Sequence, residues 1–108
     1  MIDSSLQTMV SGFVNEYGLE TSVEIRYIDL VSEVGELGKE ILKISDYGTG
    51  TADLRATDDL VQEIGDVVFS LACMANTLGV DMEKALMAAI QKYKSRFKET
   101  GNIGSNGI

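Results

Sequence analysis

The sequence has no histidine, no proline, no tryptophan and only one cysteine, Cys73. Each absence removes a class of chemistry. Without imidazole there is no Ser-His-Asp triad, no Cys-His pair and no histidine-ligated zinc hydrolase. A carboxylate-bridged di-iron bundle fails on the same ground, because it uses Glu-x-x-His ligands. A lone cysteine excludes an intrachain disulfide, and with nothing to activate it Cys73 reads as a small buried hydrophobe. Basic residues are few, nine against seventeen acidic ones for a net charge of -8, which argues against nucleic-acid binding through a basic surface. No apolar run approaches the roughly 20 residues that span a bilayer. The start, MIDSSLQTMV, lacks the basic head and apolar core of a signal peptide, so a cytoplasmic protein with no membrane partner is expected.

What is present is helical. A chain of 108 residues with 44% hydrophobic content is expected to form one small domain, residues 1–98, followed by a disordered tail, 99–108. Glycines mark the breaks. The first helix is expected from Ser4 to Tyr17, burying Leu6, Met9, Val10, Phe13 and Val14, with Gly18 ending it. Thr21 and Glu24 have the spacing of a capping box for a second helix reaching Ile44. Its stripe is Leu30, Val34, Leu37, Ile41 and Ile44. A third helix, Asp58 to Leu78, turns Leu60, Ile64, Val67, Leu71 and Leu78 inward. Gly79 closes it, and Asp81 caps a fourth helix that runs to about Phe97 with Met82, Leu86, Ala89, Ile90, Tyr93 and Phe97 inward. Four helices and no strand predict an all-α bundle. The polar stretch Ser45 to Thr57 is expected to be a mobile loop.

Two helices carry matching pairs of acids. Glu33 with Glu36, and Glu63 with Asp66, are spaced i,i+3 and so share a face, displaced to one side of each apolar stripe. If the helices pack side by side, four carboxylates converge. Like charges a few ångströms apart in a partly dry site repel strongly unless a cation fills the gap, and an all-oxygen donor set suits Mg2+ or Mn2+. Gly35 and Gly65 sit inside the acidic pairs, where glycine costs roughly 1 kcal/mol relative to alanine. Close helix approach or room for a ligand would explain them. Glu40 is expected to pair with Lys43 or Lys39 on a solvated flank.

The basic residues gather late. Lys84, Lys92, Lys94, Arg96 and Lys98 occupy a stretch without an acid. Lys84, Lys94 and Lys98 are expected to coat a solvated helix end, whereas Lys92 and Arg96, spaced i,i+4, can reach one phosphate from a single face. Asn76 has two readings, a hydrogen bond to a ligand or satisfaction of nearby backbone. Of the seven Phe and Tyr residues, Tyr17, Tyr27 and Tyr47 are candidates to stack on a base, with a core role expected for Tyr17 and Tyr27.

In combination, S-E-V-G-E-L at Ser32 to Leu37, E-I-G-D-V-V-F at Glu63 to Phe69, A-N-x-L-G-V-D at Ala75 to Asp81 and K-Y-x-x-R-F at Lys92 to Phe97 resemble the MazG-type all-α nucleoside triphosphate pyrophosphohydrolases. The likeness runs from Ile25 to Phe97. It implies a four-helix-bundle-like fold completed across subunits in a homodimer or homotetramer. It also implies Mg2+-dependent cleavage of a nucleoside triphosphate between the α and β phosphates, releasing the monophosphate and pyrophosphate, in the removal of unwanted nucleotides. By motif position Glu33, Glu36, Glu63 and Asp66 would bind the metal and form the catalytic set, while Lys92 and Arg96 would hold phosphate oxygens. The family's first motif begins with two adjacent glutamates, and here Ser32 stands in place of the first. That departure leaves the number of ions open and gives a second reading some support: a non-catalytic dimerisation or regulatory module that binds Mg2+ or nucleotide without turnover.

Overall fold

A computed structural model describes residues 2–49 and 55–104. Helix α1 spans Ser5–Glu16, α2 Val23–Ile44, α3 Asp58–Leu78 and α4 Met82–Thr100, and there is no strand among the described residues. Each helix begins on an oxygen that accepts from an otherwise orphaned backbone N–H. The caps are Ser4 for α1, Ser22 for α2, Thr57 for α3 and Asp81 for α4. The α2 cap is Ser22 rather than Thr21: its extended backbone (ψ 158°) brings its hydroxyl within reach of the Ile25 N–H. Helix α4 passes the expected domain limit at Lys98 to reach Thr100, where Gly101 ends it at φ 80°.

Helices α2 and α3 lie along one another, α1 packs across α3, and α4 makes only slight contact with the rest. It leaves the end of α3 at a bend of 98°. A radius of gyration of 17.0 Å exceeds the roughly 13 Å expected of a compact chain this long, so one copy does not close the bundle.

The core is correspondingly small. Val10, Ala72 and Cys73 form it, with Val14, Phe69 and Met82 against them. Several expected core positions are therefore uncovered in one chain: Leu6, Met9, Phe13, Val34, Ile41, Ile64, Leu71, Leu78, Leu86, Ile90, Tyr93 and Phe97 are all exposed. The reason is geometric: helices that each carry an apolar stripe cannot cover every stripe when one of them diverges at nearly a right angle. On α3 the covered face is made of small residues, Ser70, Ala72, Cys73 and Ala75, and Cys73 is the buried free thiol the sequence suggested.

The turn after α2 holds Asp46, Tyr47 and Gly48 at φ 50°, 57° and 82°, the left-handed region that non-glycine residues enter at a cost. Of the expected mobile loop, Ser45 to Thr57, residues 50–54, Gly50 among them, lie outside the described residues.

Candidate metal and phosphate site

The side-by-side packing of α2 and α3 brings Glu33 from one helix against Glu63 and Asp66 from the other. One carboxylate oxygen from each lies within 4.8 Å of the others. Glu33 and Glu63 are half-buried and Asp66 is exposed. Glu63 is the residue under most stress. Its Oε2 is buried and has no hydrogen-bond partner, alone in this among the side-chain oxygens and nitrogens of the described residues. Its pKa is raised, first by desolvation, then by the charges of Asp66, Glu33, Glu36 and Glu40. A buried anionic oxygen without a donor is costly, and surrounding it with further acids raises the cost.

Glu36 lies outside this cluster, with its Oε1 3.6 Å from the Lys39 ammonium and half its side chain exposed. The fourth carboxylate of the expected set is thus one helical turn away on the solvent side, close enough to act on Glu63 through its charge alone. Glu40 accepts a hydrogen bond from Lys43 at 3.1 Å, the flank pair expected of it, and that bond is the main cause of the raised Lys43 pKa. At Gly35 and Gly65 an added Cβ would meet nothing within 4 Å. Close helix approach is therefore not the reason for these glycines within one chain. Open space beside the acids is what remains.

The basic pair is not at the cluster. Twelve residues of α3 separate Asp66 from Gly79, about 20 Å of helix, and α4 then departs at 98° for a similar length before it reaches Arg96. Lys92 stands over the ring of its neighbour Tyr93, 5.1 Å from the centroid, and Arg96 Nη1 donates to the Ile103 carbonyl at 3.2 Å. Within one chain the acids and the basic pair sit on opposite arms of an L.

Asn76 has both ends of its amide engaged. Oδ1 accepts from Gln7 Nε2 and Nδ2 donates to the Gln7 carbonyl, each at 3.1 Å, so its partner is Gln7 of α1 rather than the backbone at the end of α3. Tyr17, Tyr27 and Tyr47 are exposed, so the core role expected of Tyr17 and Tyr27 is not met in one chain. Tyr17 leans on Phe13 with ring centroids 5.0 Å apart. The residue that sequence reasoning missed is Gln7, which is fully buried. The available signal was a polar residue at i,i+3 and i,i+7 from Val10 and Val14, on the very face that α1 turns inward.

Comparison with known proteins joins these features to one family. The profile of the MazG nucleotide pyrophosphohydrolase domain matches residues 23–100. The chain is 36% identical over 73 residues to the "Uncharacterized protein YpjD" of Bacillus subtilis, covering 65% of this chain and 62% of YpjD, under two thirds of that relative's length. It is 35% identical over 78 residues to the "Gene 37 protein" of Mycobacterium phage L5, covering 72% of this chain and 68% of that protein. Among solved structures, that of the "putative pyrophosphatase YPJD" from Bacillus subtilis superposes with a TM-score of 0.68 at 26% identity, over 86% of this chain and 98% of that one. The matched profile runs through α2, α3 and α4 and so includes every acid of the cluster: the chain belongs to the MazG nucleotide pyrophosphohydrolase domain family.

Proposed function

We propose that this protein is a Mg2+-dependent nucleotide pyrophosphohydrolase that cleaves a (d)NTP between its α and β phosphates to give a (d)NMP and pyrophosphate, in the cytoplasmic removal of non-standard or excess nucleotides. The observation that carries the reading is the Glu33, Glu63 and Asp66 cluster with its buried, unpartnered Glu63 Oε2. These residues fit a divalent cation: the donors are all carboxylate oxygens, they converge, and the oxygen without a hydrogen-bond donor is the kind of group a cation satisfies. Mn2+ fits the same donor set.

A cation bound there supplies charge neutralisation for the phosphates and a water of lowered pKa. The chain's own residues do the rest. Glu33, Glu63 and Asp66 hold the cation between α2 and α3. A carboxylate of the set that is not fully committed to the cation takes the proton of the attacking water. Glu36 adds negative charge from the outer side. Lys92 and Arg96 hold phosphate oxygens, and because they stand on the far arm of their own chain, they do so across a homodimer or homotetramer in which the exposed stripe of α4 packs on another copy.

The test is product analysis. The protein is incubated with a panel of natural and modified NTPs and dNTPs, with Mg2+ or with EDTA, and the products are separated by chromatography. Monophosphate plus pyrophosphate, formed only with metal, is the expected result. Diphosphate plus orthophosphate would misplace the bond cleaved. Metal binding without any product would favour the regulatory module that Ser32 keeps in view.

A further inference from the structure

The direction of α4 is decided at one short junction. Helix α3 ends in a Schellman motif, with Gly79 at φ 69° and the Val80 N–H returning to the Ala75 carbonyl at 2.9 Å. Helix α4 starts two residues later on its Asp81 cap, whose Oδ1 accepts from the Lys84 N–H at 3.0 Å. Each helix end is therefore locked by its own local motif. What neither motif sets is the angle between them, and α4 has almost no other contact with the chain that could set it.

Gln7, from α1, supplies the missing constraint. It is fully buried, with no accessible surface, and its amide addresses both sides of the junction at once. Nε2 donates to Asn76 Oδ1 on α3 at 3.1 Å and to the Val80 carbonyl in the turn at 2.7 Å. Oε1 accepts from the Met82 N–H, the first residue of α4, at 2.7 Å. Beside it, the Asp3 N–H donates to Asp81 Oδ2 at 2.8 Å and the Asp3 carboxylate lies 3.6 Å from Lys84. A single amide bonded to the end of one helix, the turn and the start of the next leaves that turn no rotation that keeps every bond.

We propose that Gln7 is a positioning residue that sets the α3–α4 angle, and so the direction in which α4 carries Lys92 and Arg96. The functional consequence rests on the pyrophosphohydrolase reading. The angle itself does not, and it is measured without activity.

The experiment is pulsed EPR on the full chain carrying Cys73→Ala, spin-labelled at Asp59→Cys on α3 and Lys98→Cys on α4. Labelled chains are diluted with unlabelled ones so that only distances within a chain are read. With Gln7 present a single narrow distance peak is expected. Gln7→Met, which keeps the side chain's length and loses all its hydrogen bonds, is expected to lose that peak to a broad distribution while circular dichroism shows the helix content retained. Gln7→Glu, which keeps the acceptor for Met82 and loses the donor, is expected to fall between them and serves if the methionine variant does not fold. A narrow, unshifted peak in a folded variant would overturn the proposal, since contacts between copies would then hold the angle. Loss of helix in both variants would also overturn it, because Gln7 would then be needed to form the helices rather than to aim them.

Discussion

The two polar concentrations in this molecule are built in opposite ways. At the α3–α4 junction the groups of buried Gln7 and Asp81 and half-buried Asn76 are matched donor to acceptor, and Asp81 is held below the usual carboxylate range chiefly by the N–H groups of Asp3 and Lys84. On the α2–α3 face, Glu33, Glu63 and Asp66 converge with no donor for the buried Glu63 oxygen, whose pKa moves the other way. Satisfied polar networks hold a conformation, whereas unsatisfied buried ones store a cost that persists where a ligand relieves it. The first region reads as a joint and the second as a site.

The sharpest way to break the comparison is to disarm the site. Asp66→Asn and Glu63→Gln are expected to lower turnover by about 10²-fold or more and to abolish the rise in melting temperature that Mg2+ gives a protein binding it only when folded. Glu36→Gln, outside the converging set, is expected to lose distinctly less. Equal losses in steady-state assays would return Glu36 to the ligand shell.

Next in size is the joint. Gln7→Met leaves the Val80 carbonyl and the Met82 N–H without their partner, at about 2–4 kcal/mol in total, read as a Tm fall on the order of 10 °C. The same type of change at the site, Glu63→Gln, is expected to raise the metal-free Tm. If both variants lost stability alike, the two regions would not differ in kind.

Acid separates them further. A raised folded pKa means that ionised Glu63 penalises folding, so acidifying from neutral through that pKa, above the ordinary glutamate value of about 4.3, removes the penalty and stabilises the metal-free protein. A lowered folded pKa means that Asp81 contributes stability above about 3.9, which is lost as pH falls through its folded value. Metal-free melting against pH is expected to gain first and fall below about pH 4, with Glu63→Gln removing the gain and Asp81→Asn the fall.

The smallest effect concerns the glycines. With open space at their Cβ positions, Gly35→Ala and Gly65→Ala are expected to stabilise the chain by about 0.5–1 kcal/mol each. If that space serves a ligand, turnover falls while stability rises. Unchanged kinetics would leave the glycines with no role at the site.

Much of this was legible beforehand. Helix α3 begins and ends where the sequence places it, because a threonine followed by two aspartates and a terminal glycine are local signals that act through neighbouring backbone. Glu33, Glu63 and Asp66 were legible from i,i+3 spacing, which survives in any helix. The separation of Glu36 was not, since spacing places side chains on a face but does not say how far a neighbouring helix reaches across it. Gln7 was passed over because a glutamine beside apolar residues looks the same whether it faces solvent or a junction almost seventy residues later.

The order of the four helices and the faces on which the carboxylates stand were determined by the sequence alone, because each depends on contacts a few residues long. Which three acids converge, which oxygen goes without a donor and where α4 points were decided by tertiary structure. Those depend on how helices distant in sequence pack, and on one buried amide that fits the joint only once α1 has docked.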